Sequence, residues 1–561
     1  MLHLNEKNNI ITKNNYDRSK KPKTKEKDFF LFFKNISNIQ ELWMKSIVFN
    51  KKYFLVPFNT KLQSLDLNTF YNFHYINNTN KSKKSNIRFV VANQEGSFLA
   101  LISLIYLHQK KSIYINKIDY VRGKSHKILS NAVINLLEYF RKTFYINNFQ
   151  ILIEKNNSKK EQFFKKLGFK KNINAAFFTK PYNYFYWQGE KQQIGKKIIL
   201  TAGPSVSLSE SLKTLDAVKH GWNKNWNSSI LDLEKNFAKY IGVKYAISTS
   251  SCTGALHIAM QSLNISEGDE VIVPDITWVA TARVVSYLGG TPIFAEIEKD
   301  SWNIDVLSIE KLITKKTKAI IAVHLYGNPA NLTQLKKLSS KYKISLVEDA
   351  APAIGSSYNG LRCGTVGDFS AFSFQGAKLM VAGEGGMLCT NSLKLYKIAK
   401  KISDHGRNPN KTFWIDGPGL KYKISNIQAA FVLGQLERVT DMILMKRRIF
   451  NWYKEFLQKN IYLSLLEEKD YTYSNYWMVS ASINNNSYKK RDRLIEYLKK
   501  NNIDSRPVFS PISKYPIWNK KYITNNIAKM IGCSSLNLPS GTNLTKNEVK
   551  YICEKINSYF N

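Results

Sequence analysis

The sequence predicts an α/β protein in two bodies. The C-terminal body has a mostly parallel sheet flanked by helices and ends in a small α+β domain; an α+β body precedes it. Three observations carry this reading. Residues 198–435 alternate short apolar runs with helical stretches. Residues 88–118 read as an antiparallel meander. A polar, glycine-containing stretch at 188–197, QGEKQQIGKK, reads as a linker between the bodies.

Taken in order, residues 1–27 form a basic tail without an apolar core of signal-peptide length, and read as disordered. In the first body, 28–187, RFVVANQEGSFLALISLIYLHQKKSIYINKI gives strand, tight turn, strand, strand. SHKILSNAVINLLEYFRKTF has apolar residues at helical spacing. FQILIEK is a strand, SKKEQFFKKLGF a short helix ending at Gly168, and AAFFTKPYNYFYW a further strand. The second body offers seven strands: KYAISTSS, DEVIVPD, TPIFAEI, KAIIAVHLY, ISLVEDA, FSAFSF and GGMLCTN. Helical stretches such as CTGALHIAMQSL and ANLTQLKKLSSKY lie between them. Buried strands alternating with helices make a parallel sheet covered on both faces. SNIQAAFVLGQLERVTDMILMKRRIFNWYKEFL reads as one long helical stretch, and residues 436–561 are assigned to the small domain.

Composition narrows the function classes. The chain has 561 residues, 83 basic against 42 acidic, for a net charge of +41. The charge is spread through Lys-rich and Asn-rich tracts such as KKSIYINKI instead of forming a stripe, so no nucleic-acid partner is expected. The five cysteines, Cys252, Cys363, Cys389, Cys533 and Cys553, show no metal-ligand spacing, so no metal site is expected and a reduced, cytoplasmic compartment is. The longest apolar run, FLALISLIYL, is too short to span a bilayer, and no membrane insertion is expected.

In an open α/β sheet, ligands bind at the carboxyl ends of the strands, and several polar residues fall there. Asp349 ends ISLVEDAA. Ser250, Ser251, Cys252 and Thr253 lie between KYAIST and a helix starting near Gly254, a turn whose backbone N–H groups and helix dipole suit a phosphate. Trp278 lies just past VIVPD, where its face could stack on a flat ring, and Ser373 precedes Lys378 in FSFQGAKLMVAGEGG. Each feature alone has an ordinary explanation: a surface lysine, a helix cap, a core tryptophan, a turn. Together, a phosphate cradle, an acid, an aromatic plate and a lysine describe a site for pyridoxal 5'-phosphate.

The motifs SSCTGALHIAM, GDEVIVPDITWVATA, VHLYGNPANL, VEDAAPAIGS, GDFSAFSFQGAKLMVAGEGGML and RPVFSPISKYP, in this order, resemble the DegT/DnrJ/EryC1/StrS sugar aminotransferases over about residues 200–561. The resemblance implies the fold-type-I pyridoxal-phosphate architecture, with a large domain at 198–435. It implies Lys378 as the Schiff-base lysine and proton carrier, and Asp349 as the partner of the pyridine nitrogen. Trp278 is implied as the stacking ring, Cys252, Thr253 and Ser373 as phosphate ligands, and Arg506 as a substrate contact. Lys421, in GLKYK, takes the place of an asparagine that reaches across a homodimer to the phosphate. Pro352 replaces a residue that commonly carries a polar side chain. L-glutamate as amino donor, a nucleotide-linked keto sugar as acceptor, and amination at C4 of a 6-deoxy sugar are implied likewise, C3 amination remaining open.

Residues 85–172 resemble the acetyl-CoA-dependent GNAT acetyltransferases, with two departures. Ser125 and Lys127 occupy the small-residue positions of the pyrophosphate loop, and Phe164 stands where a general-acid tyrosine is common; His126 is read as a loop residue. The chain is thus read as an aminotransferase with an acetyltransferase-like domain. The alternatives are a bifunctional aminotransferase and N-acyltransferase, and a non-catalytic regulator or scaffold.

Overall fold

The computed structural model describes residues 198–560 except 207, 409, 485–487 and 519–520. In the N-terminal part it describes the segments named below with residues 157 and 167–169, and positions 130, 133, 134, 136, 137 and 195. The tail at 1–27, most of the stretch at 188–197, and Ser125, His126 and Lys127 lie outside the described residues. The chain divides into two compact units, Met1–Gln192 and Gln193–Asn561.

The first unit holds β1 (Ile47–Asn50), β2 (Tyr53–Phe58), β3 (Lys84–Asn93), β4 (Phe98–Leu107), β5 (Ser112–Tyr120), β6 (Asn148–Glu154), α1 (Ser158–Lys166), β7 (Lys170–Lys171) and β8 (Tyr182–Trp187). They form one sheet in the order β1-β2-β3-β4-β5-β6-β8-β7. The expected meander is β3-β4-β5, antiparallel throughout, whereas β5 and β6 pair in parallel. Asn157 caps α1 by accepting from the Lys160 N–H at 3.0 Å. The helix ends before Gly168, whose φ of +87° carries the chain into β7. Phe164 is buried, edge-on to Phe163 and Phe169.

In the second unit, α2 (Leu208–His220) and α3 (Ser228–Ile241) lead into β9 (Tyr245–Thr249), α4 (Cys252–Ser262), β10 (Glu270–Pro274), α5 (Ala280–Ser286), β11 (Thr291–Ala295), α6 (Val306–Leu312), β12 (Thr317–Val323), α7 (Leu332–Tyr342) and β13 (Ser345–Asp349). Next come β14 (Ser357–Tyr358), β15 (Leu361–Arg362), β16 (Phe369–Ser373), β17 (Gly386–Thr390), α8 (Leu393–Ser403), α9 (Asn426–Glu437) and α10 (Val439–Leu457). The chain finishes with β18 (Leu463–Leu465), β19 (Thr472–Tyr473), β20 (Val479–Ile483), α11 (Tyr488–Lys500), β21 (Arg506–Pro507), α12 (Asn526–Ser534), β22 (Ser535–Leu538) and α13 (Lys546–Phe560).

All seven expected strands join one sheet, ordered β11-β10-β12-β13-β16-β17-β9. Only β17 runs antiparallel to its neighbours. Val271, Ile272 and Val273 of β10 and Ile320 and Ile321 of β12 are wholly buried, as strands covered on both faces must be. A second sheet, β18-β20-β22-β21, lies in the C-terminal part.

Two expectations change. The stretch read as one long helix is two. A capping box of Ser425 and Gln428 starts α9, and the helix stops at Arg438, whose φ of −117° and ψ of 15° are not helical. Arg438 is held there by tertiary bonds: its Nε donates to Glu210 at 2.6 Å and its Nη1 to the Ser205 hydroxyl at 2.8 Å. Residues 199–201, expected with the large domain, are tied to the C-terminal part. Ile199 pairs with Ile503, and the Thr201 hydroxyl donates to Asp504 at 2.6 Å.

Candidate active site

The carboxyl edge of the seven-stranded sheet gathers most of the predicted residues. β13 is hydrogen-bonded on both sides, by β12 and β16. Successive side chains at its end therefore leave in opposite directions. Glu348 turns toward His324 and the 364–367 loop. It accepts from His324 Nε2 at 2.9 Å and from the N–H groups of Gly364, Val366 and Gly367 at 2.6, 2.8 and 2.7 Å. The Ala330 N–H donates to His324 Nδ1 at 3.1 Å, so Nε2 carries the proton given to Glu348.

Asp349 leaves on the other side. It is buried, and it accepts from the Thr281 hydroxyl at 2.8 Å and from the Ala351 N–H at 3.2 Å. Burial pushes its carboxyl above the ordinary value, while these two donors and the charge of Lys378 act against that push. Two neighbouring carboxylates thus have different environments: one saturated with donors, the other with acceptor capacity left.

α4 supplies the opposite charge. Its cap, Ser251, accepts from the Gly254 N–H at 3.0 Å. The N–H groups of Cys252 and Thr253, first and second in the helix, have no acceptor among the described residues. β17 passes directly beneath this helix start. A Cβ on Gly386 would lie 2.5 Å from the Ser251 carbonyl carbon and 2.6 Å from the Cys252 nitrogen, so only glycine fits. Ser373, paired with Gly386 across β16 and β17, is buried beside them. Burial, then the nearby Asp349 charge, raises the Cys252 thiol far above its usual range, making it a neutral thiol.

Lys378 follows β16 in a turn closed by its own N–H on the Gln375 carbonyl at 2.8 Å. Nζ has no hydrogen-bond or ion-pair partner among the described residues. It lies 3.9 Å from the centroid of the Trp477 ring. Burial lowers its ammonium below the ordinary 10.5, with the charge of Asp349 working in the other direction.

Trp477 begins an aromatic wall. Tyr326 stacks on it at 6.0 Å and 22°, Phe509 stacks on Tyr326 at 5.4 Å and 24°, and Trp278 meets Phe509 at 5.7 Å. Trp278 remains 60% exposed, leaving aromatic surface free to take a ring. Tyr326 is itself held at a φ of +54°.

Two predicted residues stand apart. Lys421 is exposed and bridges Asp404 through its backbone. Arg506 is exposed and ion-paired to Asp504 at 3.6 Å. Pro352 is buried, and its carbonyl accepts from Asn475 Nδ2 at 3.0 Å, so its contribution is a backbone one. Thr281, Asn475 and Trp477 were missed by sequence reasoning. Thr281 had a signal: ITWVATA sets Thr277 and Thr281 one helical turn apart, and their hydroxyls lie 3.0 Å apart. Asn475 and Trp477 reach the site from about a hundred residues further along the chain, and nothing local marks them.

Unsatisfied N–H groups at a helix start, a partly satisfied buried carboxylate, an exposed aromatic plate and an unpaired amine fit pyridoxal phosphate by chemistry and by place. Comparison with known proteins gives the same answer. Residues 207–557 match the DegT/DnrJ/EryC1/StrS aminotransferase family.

The chain belongs to that family.

It is 38% identical over 364 residues to GDP-perosamine synthase of Escherichia coli O157:H7, covering 65% of this chain and 99% of the relative. Identity to the GDP-perosamine synthase of Vibrio cholerae is 36% over 362 residues, covering 64% and 98%. Among solved structures, the putative sugar aminotransferase Spr1654 of Streptococcus pneumoniae in its PLP form aligns with a TM-score of 0.62 at 25% identity, over 64% of this chain and 98% of that one. Helicobacter pylori PseC, an aminotransferase involved in the biosynthesis of pseudoaminic acid, aligns at 0.60 and 26%, over 65% and 99%. The chain is a pyridoxal-phosphate-dependent aminotransferase. Among the described residues, no helix is long and apolar enough to cross a membrane.

The environment of Lys378 predicts its titration. In cofactor-free protein, competitive acetylation across a pH series should give Lys378 a midpoint below the ordinary 10.5. A midpoint at or above 10.5 would show that burial does not govern this amine.

Proposed function

We propose that the enzyme transfers the amino group of L-glutamate to C4 of a GDP-linked 4-keto-6-deoxy sugar, with pyridoxal phosphate held by the residues above. The reading rests chiefly on one observation: Lys378, Asp349 and the open start of α4 converge at one edge of the sheet, in a chain similar over nearly the whole length of two GDP-perosamine synthases. Perosamine is a 4-amino-4,6-dideoxy sugar, which supports C4 over C3 in this reading.

In this reading the N–H groups of Cys252 and Thr253, with the hydroxyls of Thr253 and Ser373, take the phosphate. Asp349 would hold the proton of the pyridine nitrogen, and Thr281 fixes the orientation of that carboxylate. Trp278 would supply the stacking face. Pyridoxal phosphate supplies an aldehyde that carries the amino group and a ring that accepts electrons when a C–H bond is broken. Lys378 holds the cofactor in the resting enzyme, and its lowered basicity keeps a share of Nζ neutral, as a nucleophile and proton carrier must be. Lys421 is assigned to the phosphate of a second subunit in a cytoplasmic homodimer, which accounts for its exposure in the single chain. Arg506, ion-paired at the surface, is assigned to the anionic sugar nucleotide.

The test is amino transfer from L-glutamate to GDP-4-keto-6-deoxymannose, followed by release of 2-oxoglutarate and the mass of the aminated sugar nucleotide. Lys378→Ala should fall by at least about 10³-fold, the scale of a lost proton-transfer group. Absence of turnover with any nucleotide-linked keto sugar would leave the regulator or scaffold reading instead.

We infer an acetyltransferase-like role for the first unit from its meander, the parallel β5–β6 pair and the helix α1 that follows β6. Phe164, packed among Phe163 and Phe169, supplies no acid there. The expected result is binding of acetyl-CoA by the full chain at micromolar concentration, read by calorimetry. Acetylation of the aminated product would make the enzyme bifunctional, whereas no binding would remove the acetyltransferase-like assignment.

A further inference from the structure

Lys446, near the middle of α10, is buried, and Nζ donates to two main-chain carbonyls, Trp477 at 2.7 Å and Ser540 at 2.5 Å. It has no carboxylate partner among the described residues. An ammonium taken out of water without a counter-charge is costly, and burial accordingly brings this amine down to about 7, so that it is only partly charged at neutral pH. Charged or neutral, it donates to the main chain of two separate segments, although the Ser540 hydroxyl already reaches the Trp477 carbonyl at 3.3 Å. A buried amine kept at this cost calls for an explanation beyond satisfying the backbone.

The explanation lies one residue away in contact terms, at Trp477. Its main-chain N–H donates to Asn475 Oδ1 at 2.8 Å. Its indole N–H donates to the carbonyl of Ala377 at 2.8 Å, directly before Lys378 in the chain. One ring face stacks on Tyr326, and the Lys378 ammonium sits 3.9 Å from the ring centroid. Trp477 is thus gripped at its N–H, its carbonyl, its indole N–H and its face, and it in turn grips the turn that carries Lys378. Of these grips, the carbonyl clamp from Lys446 joins α10 to Ser540, two residues past β22, and to Trp477, two residues before β20.

We propose that Lys446 is a positioning residue which, through its clamp on the Trp477 carbonyl, holds the indole face against Lys378 and so favours the charged form of that amine. The proposal rests on the reading of Lys378 as the reacting lysine, but not on any cofactor step. The ring's negative face attracts an ammonium and has no such attraction for the neutral amine. It therefore adds to the Asp349 carboxylate, the charged group that faces Lys378 from the end of β13, in opposing the effect of burial. An amine that must both lose and regain a proton needs that balance.

The test uses full-length, cofactor-free protein and competitive acetylation of Lys378 across a pH series. Lys446→Met and Trp477→Leu are compared with wild type, with Lys446→Leu, which likewise has no donor, as a second clamp variant should Lys446→Met not fold. Circular dichroism confirms folding in each case. Both single variants should lower the Lys378 midpoint, Trp477→Leu by about one pH unit, the size expected of a desolvated cation–π contact. The double variant should shift no further than Trp477→Leu alone, because Lys446 acts through Trp477. An unchanged midpoint in Trp477→Leu, an unchanged midpoint in a folded Lys446 variant, or additive shifts in the double variant would each overturn the proposal. Loss of amino transfer plays no part in the readout. A failure here is therefore distinct from a failure of the functional reading, which depends on turnover and on Lys378→Ala.

Discussion

Everything in the site depends on how β13 ends. A central strand bonded on both sides cannot rotate, so the pair Glu348-Asp349 must send its carboxylates to opposite sides. The first is saturated by His324 and three backbone N–H groups, which hold its carboxyl below the ordinary value although burial alone would raise it. It locks the 364–367 loop that leads into β16, and β16 leads on to Ser373 and Lys378. The second, with fewer donors, is left to the ligand. One dipeptide thus provides both a structural anchor and a chemical group.

The charges around this edge are arranged in opposition. Burial drives Asp349 toward its neutral acid, Cys252 toward its thiol and Lys378 toward its free amine. The attraction between Lys378 and Asp349 counters this drive at both ends. The helix dipole of α4 adds a positive end without a side-chain charge, which suits a phosphate better than a lysine that would also have to be desolvated. Gly386 makes this arrangement possible because only a residue without Cβ lets β17 run so close under the helix start.

Much of this was legible in the sequence because it is local. Seven apolar runs named the seven strands, and the polar residues just past them named Asp349, Trp278, Ser373 and the start of α4. What escaped notice was set by long-range packing. The helical pattern through 425–457 gives no hint of a break at Arg438, since the break is made by Glu210 and Ser205, more than two hundred residues earlier. Likewise the aromatic wall unites Trp278, Tyr326, Trp477 and Phe509 from four separate segments, and no window of sequence contains two of them. Phe164 was read as a missing hydroxyl, and its packing shows what the ring does instead, filling the core beneath α1.

The central claim is that Lys378 is the residue that bonds pyridoxal phosphate. The direct measurement is borohydride reduction of the protein loaded with the cofactor, followed by peptide mass mapping. The account predicts a single pyridoxyl mass increment on the peptide containing Lys378. An increment on another lysine, or a protein that takes up the cofactor and yields no modified peptide, would contradict it.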